Sequence, residues 1–91
     1  MPLFTFILDH AGGTYISQVR ASGTTKAVNR WLTSLEPKVI QGLTPKKKES
    51  LADQLAGDEP VAVEGSTNVW CVSAVLRGSL ALINIVKTSE L

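Results

Sequence analysis

The apolar positions between residues 68 and 87 form two strand-like runs on either side of Arg77-Gly78. Glycine tolerates the positive φ of a two-residue loop, so this pair predicts an antiparallel hairpin in which Leu76 lies opposite Ser79. Because strand side chains alternate between faces, the register also defines which residues share a face. One face then carries Trp70, Val72, Ala74, Ala81, Ile83 and Ile85.

The opposite face of this hairpin is apolar as well. Only Ser73 and Asn84 interrupt it with strongly polar groups, whereas a hairpin with one wet face alternates apolar with polar residues. Both faces therefore need cover, and we predict that the second face binds another copy of the chain or a protein partner. The predicted interface residues are Val69, Cys71, Val75, Leu80, Leu82 and Val86.

A second hairpin is predicted at the start of the chain. The runs 3–8 and 14–21 flank Ala11-Gly12, although Gly13 leaves the turn position open. The register chosen from the pattern pairs Leu8 with Tyr15, Phe6 with Ser17 and Phe4 with Val19. It gathers the bulky side chains on one face and leaves the other mostly polar, as is typical of a sheet surface in water.

Two helices are predicted between the hairpins. The first follows Ser22-Gly23, with Thr24 as its N-cap and Pro37 as its stop. The second extends from Pro45 to Ala56, with Thr44 as its N-cap and Gly57 as its stop. The first helix has a stripe with helical period at Ala27, Val28, Trp31, Leu32 and Leu35, and the second has a thinner one at Leu51, Ala52, Leu55 and Ala56.

These elements predict a single α+β domain over residues 1–91. One more short strand is predicted within 60–65, while the segment 38–43 is left unassigned. The expected architecture is an antiparallel sheet of four or five strands with two helices packed on one face, in the order ββααβββ. The pattern leaves open the strand order and the face of the C-terminal hairpin that the helices cover.

Composition excludes several classes of protein. The formal charge is +1 and 19% of the residues are charged, so any attraction to nucleic acid must come from a local patch. A single cysteine excludes an internal disulfide, and Cys71 with His10 cannot complete a zinc site, so no metal or cofactor is predicted. The first apolar run ends at Asp9, which is too early for a secretory signal or a membrane span. We expect a cytoplasmic protein.

The lysine run Lys46-Lys47-Lys48 is the candidate for anion or nucleic-acid binding. It occupies the first turn of the second predicted helix, where the helix dipole favours anions rather than cations. Such a cluster can hold a phosphate together with free backbone N–H groups, and Lys38 would extend it. The alternative is a solvated helix start, which is the common meaning of a charge run.

Catalytic chemistry is the weakest of the three functional hypotheses. Asp9, His10 and Tyr15 cluster near the first turn, but adjacent strand residues point to opposite faces, so Asp9 is not positioned to orient His10. His10 is therefore predicted to be a surface-turn histidine. Cys71 has no cation nearby in sequence to activate its thiol, so it is predicted to be a small buried residue. No catalytic residue is predicted.

The order of hairpin and helix, with GGTYISQVRA before a helix that bears alanine and tryptophan, resembles the start of HicB-like antitoxin domains over residues 3–35. This resemblance implies a small bacterial β-β-α module and the nucleic-acid-binding alternative. The chain lacks the Pro-Gly-Cys segment after the second strand and an appended DNA-binding segment. With GGTYISQV, IQGL and NVWC, it is also similar to small uncharacterised bacterial proteins, which implies no activity.

Overall fold

The computed structural model describes residues 1–36, 40, 43–56 and 58–90. Its elements confirm the predicted α+β class and the order ββααβββ. The strands and helices are β1 (Leu3–His10), β2 (Gly13–Arg20), α1 (Thr24–Ser34), α2 (Pro45–Leu55), β3 (Val61–Ala62), β4 (Val69–Leu76) and β5 (Ser79–Thr88).

The five strands form one antiparallel sheet in the order β2-β1-β5-β4-β3. The two hairpins meet where β1 pairs with β5, which places Phe6 opposite Ile85 and Leu8 opposite Ile83. This pairing merges the apolar faces of both hairpins into one surface. It also supplies the strand order that the sequence pattern leaves open.

Both hairpin registers are confirmed, because both turns have the predicted geometry. Ala11 and Gly12 have φ of 49° and 82°, and Arg77 and Gly78 have φ of 53° and 74°. Two consecutive left-handed residues make a type I′ turn, whose twist matches that of the flanking strands. The closing pairs are His10 with Gly13 and Leu76 with Ser79.

Both helices bury their apolar stripes against one face of the sheet, which we call the inner face. Trp31 of α1 stacks on Phe6 with ring centroids 5.0 Å apart, and its Nε1 donates to Ser17 Oγ at 3.2 Å. On α2, Leu51 and Leu55 are buried. Ile40, from the unassigned segment 38–43, and Leu43 also lie in the core, whereas residues 38, 39, 41 and 42 lie outside the described residues.

The predicted N-cap of α2 is confirmed, whereas that of α1 is wrong. Thr44 caps α2 as predicted, since its hydroxyl accepts from the backbone N–H of Lys47 at 3.2 Å. The N-cap of α1 is Gly23 rather than Thr24, with extended backbone and no side-chain cap, and Thr24 is already helical. The Gly23 carbonyl accepts from Ala27 N, so the first helical hydrogen bond begins one residue earlier. The predicted stops Pro37 and Gly57 lie outside the described residues.

Candidate functional site

The second face of the sheet, which we call the outer face, carries all six predicted interface residues. Both described helices pack on the inner face, so these side chains meet no second layer from the described chain. Leu80 and Val75 remain 62% and 54% exposed. The other four are half-buried among their neighbours in the sheet, namely Val69, Cys71, Leu82 and Val86.

The apolar surface extends further than the sequence predicted. One row, in the order Ile16, Ile7, Asn84, Cys71 and Val61, crosses all five strands; it is apolar except for Asn84 and adds Ile7, Ile16 and Val61 to the predicted set. Ile16 and Val61 are 66% and 69% exposed. Pattern reasoning assigned Ile7 and Ile16 to a mostly polar surface, because their proximity to the C-terminal hairpin depends on the pairing of β1 with β5. In sequence, the only signal was two isoleucines on that polar face.

The polar groups of the outer face bond largely to one another. Gln18 Nε2 donates to Thr5 Oγ1 at 3.0 Å, Thr5 also bonds Thr88, and Thr14 Oγ1 donates to Asp9 Oδ1 at 2.6 Å. These pairs leave few polar groups that need water.

On the strands that form the outer face, charge is confined to the two ends. Asp9 lies at one end of β1, and the exposed ion pair of Arg20 with Glu90 lies at the other end. The Arg20 guanidinium, by hydrogen bonding to Glu90, lowers the pKa of that carboxyl. Asp58 and Glu59 border Cys71 and Ser73 at the β4 edge, but the strands themselves contribute no ionised group to the middle of the surface, which suits burial against an apolar partner.

Asn84 occupies the centre of the outer face. It lies midway along β5, the central strand, between Ile7 and Cys71. Its amide makes no hydrogen bond to another described residue and is not sealed from solvent. A polar group at the centre of an apolar surface is costly to cover unless the partner supplies a hydrogen bond. Asn84 therefore restricts which partners and registers the surface accepts.

Cys71 is not the fully buried residue that was predicted. It is half-buried on the outer face beside Asn84. The prediction rested on the general tendency of free cysteine to be buried, whereas the helices cover only the inner side of β4. The thiol therefore lies within the candidate surface.

The lysine run is only partly available for binding an anion. Lys48 Nζ donates to the backbone carbonyls of Thr33 and Leu35, at 3.2 and 2.9 Å, and so caps the C-terminal end of α1. This contact gives one lysine a structural role that sequence reasoning missed, because it depends on the packing of α2 beside α1. Lys46 is exposed, Lys47 is half-buried, and Lys38 lies outside the described residues.

The first turn separates the residues that were considered for catalysis. Asp9 lies on the outer face with Thr14, whereas His10 and Tyr15 border a cavity of about 270 Å³ on the inner side, beside Arg77. The prediction of a surface-turn histidine is wrong, because His10 is only 7% exposed. A carbonyl oxygen only accepts, so His10 Nε2 donates to Leu76 O, at 2.8 Å. This bond ties β1 to β4 across β5.

Comparisons with known proteins add no family to this picture. A scan against protein-family models and searches of curated proteins and of solved structures find no match to the chain. Within the described residues, no three His, Cys, Asp or Glu side chains group as metal ligands, and no helix is long and apolar enough to cross a membrane. The outer face is therefore the feature on which a functional proposal rests.

Proposed function

We propose that this protein is a non-catalytic association module that forms a homodimer by packing the outer faces of two sheets together. The observation that supports this proposal is an outer face that spans all five strands, in which apolar residues surround Asn84 and the ionised strand residues lie only at the ends. A protein partner with a matching apolar face would use the same residues. Two sheets in this arrangement pack about 10 Å apart with their strands nearly aligned.

The size of the surface predicts a weak dimer. The four long strands each occupy a width of about 4.8 Å and have at least eight residues that rise about 3.4 Å each, which gives a footprint on the order of 500 Å². A standard interface buries about 800 Å² on each partner. The dimer should therefore dissociate on dilution, and its formation should depend on how well the side chains fit rather than on area alone.

Asn84 sets the symmetry of the proposed dimer. A two-fold axis places the same patch on both copies, so a residue near the axis meets its own counterpart. The amide of Asn84 can both donate and accept, and two copies satisfy each other when the axis passes beside them. Other registers leave an unpaired amide against apolar side chains, which disfavours them.

The decisive experiment measures solution mass by light scattering over a range of concentrations, for the unmodified chain and for Leu82→Asp. A carboxylate at Leu82 would be buried in the interface without a partner, so the variant should stay monomeric. Ser79→Asp is the matched control, because it adds the same charge to the same strand at an exposed position on the inner side. It should dimerise like the unmodified protein.

Reactivity of the Cys71 thiol gives a second readout. Because Cys71 is half-buried on the outer face, its reaction with a thiol reagent should slow as concentration drives association. Circular dichroism of Leu82→Asp distinguishes a folded monomer from an unfolded chain. An unmodified protein that stays monomeric at every concentration would rule out the homodimer. Equal solution masses for Leu82→Asp and Ser79→Asp would rule out the outer face as the interface.

A further inference from the structure

The two edges of the sheet are treated differently by the fold. At the β4 edge, β3 pairs with Cys71 and Trp70, and Val63 N donates to Val69 O. Beyond β3, the side-chain amide of Gln54 pairs with the β4 backbone. Its Nε2 donates to Val75 O at 2.9 Å, and its Oε1 accepts from Val75 N at 2.8 Å. These contacts cover most of the backbone along that edge.

The β2 edge has no such cover within the described residues. The type I′ turn makes His10 and Gly13 a hydrogen-bonded pair, so the alternation of antiparallel bonds directs the N–H and C=O groups of Thr14, Ile16 and Gln18 away from β1. No described backbone group makes a hydrogen bond to these outward N–H and C=O groups. The next outward carbonyl along the strand, that of Arg20, does accept a hydrogen bond. Its partner is Arg30 Nη1 at 2.9 Å.

This edge also lacks the features that usually block strand addition. β2 is eight residues long, contains no proline or lysine, and pairs with β1 without a bulge. A free and regular edge of this length can take another strand.

A cleft of about 550 Å³ opens beside the first half of β2, between that strand and the end of α1. Its walls combine apolar and polar groups in similar measure, and Glu36 is the one ionised residue among the described residues that border it. The apolar and aromatic lining comes from Leu8, Tyr15, Ile16, Trp31, Leu35 and Ile40.

We propose that the β2 edge binds an extended peptide from a partner protein as a sixth strand, with one bulky apolar side chain in the cleft and a basic side chain near Glu36. Backbone bonds to Thr14, Ile16 and Gln18 would supply affinity, and the cleft would supply specificity, as in other cases of strand addition. The carboxylate of Glu36 beside the apolar part of the cleft favours a cation next to the apolar anchor. This site shares Ile16 with the outer face, but its backbone groups and cleft lie at the sheet edge and do not depend on the proposed dimer.

A second copy of β2 fits this site less well than a peptide does. Its inward side chains are already engaged, since Tyr15 and Val19 pack against their own core and Ser17 accepts from Trp31. They are therefore not free to enter a neighbour's cleft. The charged residue of β2, Arg20, is paired with Glu90 and would not reach Glu36 without breaking that pair.

The test uses the peptide acetyl-Thr-Lys-Thr-Phe-Thr-Lys-Thr-amide, which places phenylalanine and two lysines on one face in either strand direction. Binding is followed by the fluorescence of Trp31, which borders the cleft, in a Trp70→Phe background that removes the other tryptophan. We expect saturable binding. Replacing phenylalanine by alanine, or both lysines by glutamate, should weaken it about tenfold or more.

Ile16→Pro tests the backbone contact directly. Proline removes the outward N–H of Ile16 without removing a bond to β1, a position that an edge strand tolerates. Ile16→Thr is the matched control, because it also loses the isoleucine side chain but keeps the N–H. The proline variant should bind the peptide about fivefold more weakly than the threonine variant. Glu36→Gln should reduce the preference for lysine over glutamate in the peptide.

Several results would overturn the proposal. The first is the absence of saturable binding up to about 1 mM peptide, and the second is equal peptide affinity of Ile16→Pro and Ile16→Thr. The third is a protein that is dimeric as Ile16→Thr but monomeric as Ile16→Pro, because that result would assign the β2 edge to a second copy of the chain. Leu82→Asp should bind the peptide normally, so failure of the outer-face dimer and failure of this site are distinguishable.

Discussion

The two faces of the sheet are made from alternate residues of the same strands, yet only one has a second layer. On the inner face Phe6, Ile83 and Ile85 are fully buried, whereas their neighbours Ile7 and Leu82 on the outer face remain partly open. Both sets are apolar. The difference shows that an apolar strand position predicts a need for cover, and that the number of available helices decides which face receives it.

Helix dimensions explain why the inner layer uses both helices. Packed helices lie about 8–10 Å apart, so two of them span roughly the width of a five-stranded sheet with strands about 4.8 Å apart. α1 contacts β2 and α2 contacts β4, which places the pair across the full sheet. No described helix is left to cover the outer face, and the apolar residues there remain available to another molecule.

The largest test of this comparison is Phe6→Ala against Ile7→Ala. Phe6 is fully buried and stacked on Trp31, so its truncation should lower the free energy of unfolding by about 3–5 kcal/mol. Ile7 is half-buried on the outer face, and its loss should cost the monomer about 1 kcal/mol or less. Urea unfolding at low protein concentration measures both values.

Protein concentration sharpens the same comparison. Because the proposed dimer covers Ile7, the cost of Ile7→Ala should grow as concentration rises, while that of Phe6→Ala should not. Similar costs for the two variants in the dilute monomer would contradict the assignment of inner and outer faces.

A smaller effect is expected for Trp31→Phe, which tests how α1 is held to the inner face. The stack on Phe6 is retained, but the bond from Nε1 to Ser17 and part of the buried ring are lost, which should cost about 1–2 kcal/mol. Thermal or urea unfolding measures it. Ser17→Ala removes only the acceptor and serves as the control; a larger cost for Ser17→Ala than for Trp31→Phe would show that the hydrogen bond, not burial, dominates.

The smallest effect concerns Arg20 and Glu90, the exposed pair at one end of the outer face. Arg20 lowers the pKa of Glu90, so the stabilisation is present above the ordinary carboxyl pKa and is lost as pH falls through the lowered value. The difference in Tm between the unmodified chain and Glu90→Gln should be small at pH 7 and vanish near pH 2. High salt should also reduce it, since exposed pairs are screened. A difference that persists at low pH would contradict the pairing.

Local features of the fold were predictable from neighbouring residues. Ala11-Gly12 and Arg77-Gly78 specified both turns, and each turn then set the register of its own hairpin. Thr44 before Pro45 specified the start of α2. By contrast, Thr24 was wrong as a cap because a threonine after a glycine suits the first helical position as well as the N-cap. The side chain alone does not distinguish the two.

The surroundings of His10 and Lys48 could not be predicted in this way. His10 is buried because Leu76 supplies a carbonyl to its Nε2, and Lys48 is engaged because α2 begins beside the end of α1. Both contacts join residues that are far apart along the chain. The open β2 edge and its cleft depend on the same kind of placement, since strand order decides which strands lie at the edges.

The sequence by itself determined that both faces of the C-terminal hairpin are apolar and that two helices separate two hairpins. These properties follow from side-chain periodicity and turn chemistry, which act over a few residues. Only the tertiary structure decided that β1 pairs with β5, that both described helices cover the inner face, and that Ile7 and Ile16 extend the outer apolar surface. Those outcomes depend on which strand edges and apolar surfaces pair during folding, a choice made between segments distant in sequence.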